Sequence, residues 1–195
     1  QKTSESDLFT GSDYTLRDGK DFTRGAYDFA GLYKDGGFSA KAPEKITEAD
    51  PANGYTFYVK WDKQSVSFVK DLDKTVTEEY GKGGVTLSVS VANSGNTTFQ
   101  WYKDGKAVEG ATGTSLTLNH VSDSGKYYVK AVLENGDSGN STECTVTIQP
   151  KPIVVKAEDK KVTYGDAAPE YSYSVSPAGD RTTALENGDS LEGTA

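Results

Sequence analysis

The stretch FQWYKDGKAVEGATGTSLTLNHVSDSGKYYVKAV, residues 99–132, decides how this chain folds. Within and around it, three runs alternate apolar with polar residues, TTFQWYK at 97–103, SLTLNHV at 115–121 and KYYVKAVL at 126–133, and clusters of Gly, Asn and Asp separate them. That alternation has the two-residue period of a strand with one buried face, and Gly, Asn and Asp supply the turn conformations between strands. The same pattern extends outward as YTFYVKW at 55–61, VTLSVSVA at 85–92 and ECTVTIQ at 143–149, then as IVVKAE, KKVTYG and EYSYSVS in the C-terminal part. Tyr, Val and Thr dominate these runs, as half-buried pleated surfaces favour. The expected fold class is all-β in the main, with no helix longer than about two turns.

Two aromatic residues narrow the expectation. In an immunoglobulin-like sandwich a Trp on the third strand packs under the bridge between the second and sixth strands, and a Tyr two residues before the second Cys forms the tyrosine corner. Trp101 and Tyr127 fit these roles. The segment DSGKYYV sets Asp123, Gly125 and Tyr127 in the D-x-G-x-Y-x-C pattern of intermediate-set immunoglobulin domains, with Val129 at the Cys position, and Val89 stands where the first Cys would be. Residues 66–149 thus resemble bacterial immunoglobulin-like domains. The resemblance implies a sandwich without its disulfide, Val89 packing on Val129 in its place, and a core of Leu87, Val89, Trp101, Leu116, Leu118, Tyr127, Val129 and Val146. Such sandwiches serve as adhesion modules, ligand binders and spacers, so the fold by itself assigns no function.

The flanks read as small β-rich modules in series with the sandwich, at 1–62, 63–150 and 151–195. Residues 153–195 carry AEDKKVTYGDAAPEYSYSV, with Tyr164, Gly165, Asp166 and Pro169, followed by LENGDSLEG with Asn187, Gly188 and Asp189. This part resembles the MBG domain family of large bacterial surface proteins. Residues 28–61 carry FAGLYKDGG and ITEADPANGYTFYVKW, and are similar to the Listeria-Bacteroides repeat, or internalin B-repeat, with Leu32 in place of the usual Trp and ADPAN lengthening a turn. Prolines 150 and 152 stiffen one joint and DKQSVSFVK runs straight through the other, which suggests a semi-rigid rod. The start, QKTSESD, has no signal-peptide pattern and reads as that of a mature or excised segment.

The formal net charge of −8 and scattered Lys and Arg argue against nucleic acid and anionic membrane as partners. No apolar run approaches the roughly 20 residues of a membrane helix. A single Cys cannot bridge internally, and Cys144 alternates with Val146 and Ile148 as a small core residue. The single His, His120, leads into the turn before the tyrosine corner, as a surface residue does. One His and one Cys leave no set of the usual His/Cys type for a transition metal. Asp71 with Asp73, and Asp180 with Glu186 and Asp189, could offer oxygens to calcium, but read better as turn formers. No acid pair is framed as a glycosidase pair. No cofactor, no metal and no catalytic residue is expected.

Exposed aromatic residues anchor sugars and protein partners. Tyr27, Phe29, Tyr33 and Phe38 crowd a glycine-broken segment that also holds Tyr14, and form the candidate binding surface; the plainer alternative is the core of a small β unit. The three resemblances converge on a secreted or wall-attached bacterial surface protein, extracellular and monomeric, adhering non-covalently to a host protein or glycan such as mucin, matrix protein or immunoglobulin. A stalk segment, or an accessory region of a glycan-processing or proteolytic enzyme, are the alternatives.

Overall fold

The computed structural model describes residues 14–15, 22–46, 56–92, 97–179, 182–186 and 188–191. Among them, every regular element but one short turn is a strand.

The centre is an immunoglobulin-like β-sandwich. One layer runs in the order β10 (Lys106–Ala107), β9 (Thr97–Lys103), β12 (Gly125–Leu133), β14 (Cys144–Gln149), β6 (Thr75–Glu79), with β13 (Ser138–Asn140) also on β12. The opposing layer pairs β7 (Val85–Ser88) with β11 (Ser115–Leu118) and β8 (Ser90–Val91) with β5 (Phe68–Lys70). The opening strand is therefore split: β5 lies on one layer and β6 crosses to run parallel to the last strand, β14, on the other. Asp71 secures the crossing by accepting from the Thr142 amide and hydroxyl, each at 2.8 Å. A carboxylate that the sequence could offer to calcium is here a structural brace.

Alternation along β9, β12 and β14 buries every second side chain, so both layers meet in a single cluster that includes Leu87, Val89, Trp101, Leu118, Tyr127, Val129 and Val146. Leu116 is only half-buried at its edge. Trp101 and Val129, both wholly buried, are direct partners across β9 and β12. The indole does not waste its donor, since Trp101 Nε1 donates to the Gly113 carbonyl at 2.8 Å. The tyrosine corner is present: Tyr127 Oη donates to the Asp123 carbonyl at 2.6 Å. The Asp123 carboxylate accepts from the amides of Asn119 and His120 at 2.9 Å, which closes the 3-10 turn Val121–Asp123. Between β13 and β14 the buried Ser141 hydroxyl accepts from the Val129 amide at 2.9 Å, so the interruption leaves no orphan donor.

Cys144 is wholly buried opposite Tyr127. Burial, reinforced by nearby Asp73, pushes its thiol above the ordinary range. The thiolate is the reactive form, so the native protein is expected to resist thiol reagents until it unfolds, and reductant is expected to leave its melting temperature unchanged. Rapid labelling of the folded chain, or a drop in melting temperature with reductant, would contradict this placement.

Three small sheets flank the sandwich: β1 (Tyr14–Thr15) with β3 (Lys45–Ile46), β2 (Tyr27–Tyr33) with β4 (Tyr58–Lys63), and β15 (Ile153–Ala157) with β16 (Tyr173–Pro177). KKVTYG, expected as a strand, is not one. Thr163, Tyr164, Gly165 and Asp166 make a turn instead, with Gly165 at φ 97 and the Asp166 amide on the Thr163 carbonyl at 3.0 Å. The upstream flank is tied to the sandwich through the β12–β13 hairpin, where Asn135 Nδ2 donates to the carbonyls of Ala26 at 2.7 Å and Gln64 at 2.8 Å. The expectations placed on residues 1–13, on ADPAN, on Asp180 and on Asn187 fall outside the described residues.

Candidate functional site

Strict alternation along β2 would set Tyr27, Phe29 and Tyr33 on one face. The register with β4 shows otherwise. Phe29 pairs with Trp61, the next pair is Gly31 with Lys60, and Ala30 is left without a partner, so the strand bulges and every later residue changes face. Gly31, at φ 123, supplies a conformation that L-residues rarely adopt.

The bulge divides the aromatic residues into two groups. Phe29 stacks on Phe22, centroids 5.1 Å apart, and meets Trp61 edge-on at 6.2 Å. Tyr27 lies under the Arg24 guanidinium at 4.3 Å. These half-buried rings hold the small unit together and are not brought to the candidate surface. On the other face, beyond the bulge, Tyr33 is the register partner of Tyr58 and meets Phe38 edge-on at 5.5 Å. Phe38 and Tyr58 are 40% and 44% exposed, a large fraction for such rings. Tyr58 escapes the sequence reading because its place depends on cross-strand pairing; the alternation of YTFYVKW is the only local hint.

The loop carrying Phe38 is built rigidly. Asp35 accepts from the amides of Gly37 at 3.0 Å, Ser39 at 3.2 Å and Ala40 at 2.7 Å. These bonds, led by those from Ala40 and Ser39, hold its carboxyl below the ordinary carboxylate value. Within this cage Phe38 is kept at φ 57, a left-handed conformation unusual for a bulky residue. Backbone strain of this kind collects at ligand clamps, where surrounding structure over-determines it. The Tyr58 ring lies beside Gly36, within van der Waals reach of the position a Cβ there would take. The result is a patch of three rings set before any ligand arrives, able to stack on a sugar or anchor a protein side chain.

Elsewhere the chemistry is sparse. His120 is exposed and lies against the Tyr80 ring at 6.3 Å. Among the described residues, no group of three or more His, Cys, Asp or Glu is placed to hold a metal ion, and no helix is long and apolar enough to cross a membrane.

Residues 70–150 match the family model described as "Ig-like domain CHU_C associated". They form an immunoglobulin-like module. The chain is also similar to a decoration protein of Escherichia phage T5, 34% identical over 84 residues that make up 42% of this chain and 51% of that protein. It thus spans about half the length of the curated relative it matches. Similar solved structures include SGBP-B of the Bacteroides ovatus mixed-linkage glucan utilization locus, in complex with a mixed-linkage heptasaccharide (14% identity, TM-score 0.38, 45% of this chain and 25% of that one). Drosophila OTK extracellular domains 3–5 (16%, TM-score 0.36, 48% and 38%) and titin domains z1z2 in complex with telethonin (17%, TM-score 0.37, 65% and 83%) are others.

Proposed function

We propose that this chain is a segment of a secreted or wall-attached bacterial surface protein that acts by non-covalent adhesion or ligand binding, without turnover. The immunoglobulin-like module is the scaffold and the Tyr33, Phe38 and Tyr58 patch is the recognition element. Phe38 carries the reading. A bulky ring that packs edge-on against Tyr33 yet stays 40% exposed, in a left-handed conformation held by three amide bonds to Asp35, presents apolar surface to a partner. Pre-organised rings lose little freedom on binding, which makes such a patch an efficient anchor. The MBG-like and internalin-repeat-like flanks support an extracellular bacterial setting, with mucin, matrix protein or immunoglobulin as the class of partner. No cofactor, metal, nucleic acid or bilayer enters this reading, and the chain acts as a monomer.

The likeness to a phage decoration protein favours a second reading, in which the same module decorates a larger particle. Both make the chain an accessory presented on a surface. The test is an array of glycans and host proteins probed with wild-type chain, Phe38→Ala and Tyr58→Ala. Each variant is expected to bind the captured ligand at least about tenfold more weakly while the chain stays folded, with a stability loss of about 1–2 kcal/mol from the lost ring contacts. Wild-type chain that captures nothing, or variants that bind as well, would leave a spacer or a decoration module. Because the Asp35 pKa is depressed in the folded loop, the cage is fully formed above the ordinary carboxylate value of 3.8 and is lost as pH falls below it. Binding should therefore hold steady from neutral pH down to about 4 and weaken only as pH falls further, below the ordinary carboxylate value.

A further inference from the structure

At the base of the sandwich, the turn between β6 and β7, the Asn119–His120 step and Glu186 of the C-terminal part line a shallow, open cleft of about 280 Å³. We infer that this cleft is a second ligand site, built for a single neutral sugar ring.

The walls supply both halves of sugar recognition. Tyr80 and His120 give aromatic surface, their rings 6.3 Å apart and tilted by 33°. Tyr80 is fixed in place because its hydroxyl donates to Asp189 Oδ1 at 2.9 Å. Asn119 contributes an amide that can both donate and accept, and its side chain takes no hydrogen bond among the described residues. Glu186 adds carboxylate oxygens whose charge is already answered by Lys151, with the Thr183 hydroxyl bonded to the same lysine. With Asp189 on the Tyr80 hydroxyl and a single lysine on Glu186, the cleft keeps a net negative character that disfavours anions and leaves a neutral ligand acceptable.

The floor is glycine for a reason. Gly81, Gly83 and Gly84 have φ of 87, 108 and 76, and an added Cβ would stand 2.3 Å from Glu186 Oε1 at Gly81 and 2.1 Å from Asn119 Oδ1 at Gly84. A side chain at Gly81 or Gly84 would make Glu186 or Asn119 shift, and at Gly84 it would also meet the Leu118 carbonyl at 2.7 Å. Gly83, by contrast, meets nothing within 4 Å, so it opens on free space. A volume just under the roughly 300–1,000 Å³ of drug-sized sites suits one pyranose ring. Rings with one apolar side, flanked by amide and carboxylate for hydroxyl groups, describe such a ligand.

The experiment maps amide shifts of the whole isotope-labelled chain on titration with a panel of methyl glycosides of neutral and N-acetylated hexoses. Saturable shifts are expected at Gly81, Gly83, Gly84, Asn119 and His120 for at least one glycoside, and Asn119→Ala should weaken that binding roughly fivefold to tenfold. Phe38→Ala should leave it unchanged, so failure here is separate from failure of the aromatic patch. His120→Ala provides a second variant should Asn119→Ala disturb the turn. No shift with any glycoside, or equal binding by both folded variants, would overturn the inference.

Discussion

Trp101→Ala is expected to lower the unfolding free energy by about 3–5 kcal/mol, the range for deleting a large aromatic from a core. The indole is wholly buried against Val129 on the neighbouring strand, so truncation opens a cavity where the two layers meet. It also removes the donor for the Gly113 carbonyl. In a sandwich with a bridge at this point a covalent link would persist, whereas here Val89 and Val129 leave packing alone to hold the layers. Domains of this size are stable by roughly 5–15 kcal/mol, so the variant should lose about a fifth or more of its stability. A denaturant titration showing a loss under about 1 kcal/mol would mean that the indole is not central to the core.

Tyr127→Ala should cost about as much, roughly 3–5 kcal/mol, while Tyr127→Phe should cost about 1–2 kcal/mol. The pair separates ring from hydroxyl: the ring is buried in the core, and the hydroxyl spans back to the Asp123 carbonyl. Burial, with the negative charges of Asp123 and then Asp104, raises this phenol from 10.0 to about 12. A folded pKa above the unfolded one means that the stabilisation is complete below pH 10 and is lost as pH rises through 12. Wild-type chain should then lose stability across that interval and Tyr127→Phe should not. Equal alkaline curves for the two proteins would remove the tyrosine corner from the account.

What the sequence shows of the fold follows from where its signals are local. TTFQWYK alternates strongly between turn residues, and becomes β9 with the same ends. Val89, Trp101, Tyr127 and Val129 keep fixed spacings, so their burial in one cluster is legible before any contact is known. The aromatic surface is less so. Whether Phe29 and Tyr33 share a face depends on a bulge at Ala30, and that is settled by pairing with β4, far along the chain. The turn that presents Phe38 does leave a local mark, since an Asp before two glycines favours a side chain bonded to following amides. The basal cleft leaves none: Tyr80, Asn119 and Glu186 meet only because three separate turns fold to the same end of the sandwich.

The most direct test of recognition by the aromatic patch is hydrogen exchange on the whole chain with and without the ligand that the array captures. The account predicts slowed exchange centred on residues 33–40 and 58–60, with the sandwich strands unchanged. Slowing confined to the faces of β9 and β12, or none at saturating ligand, would contradict it.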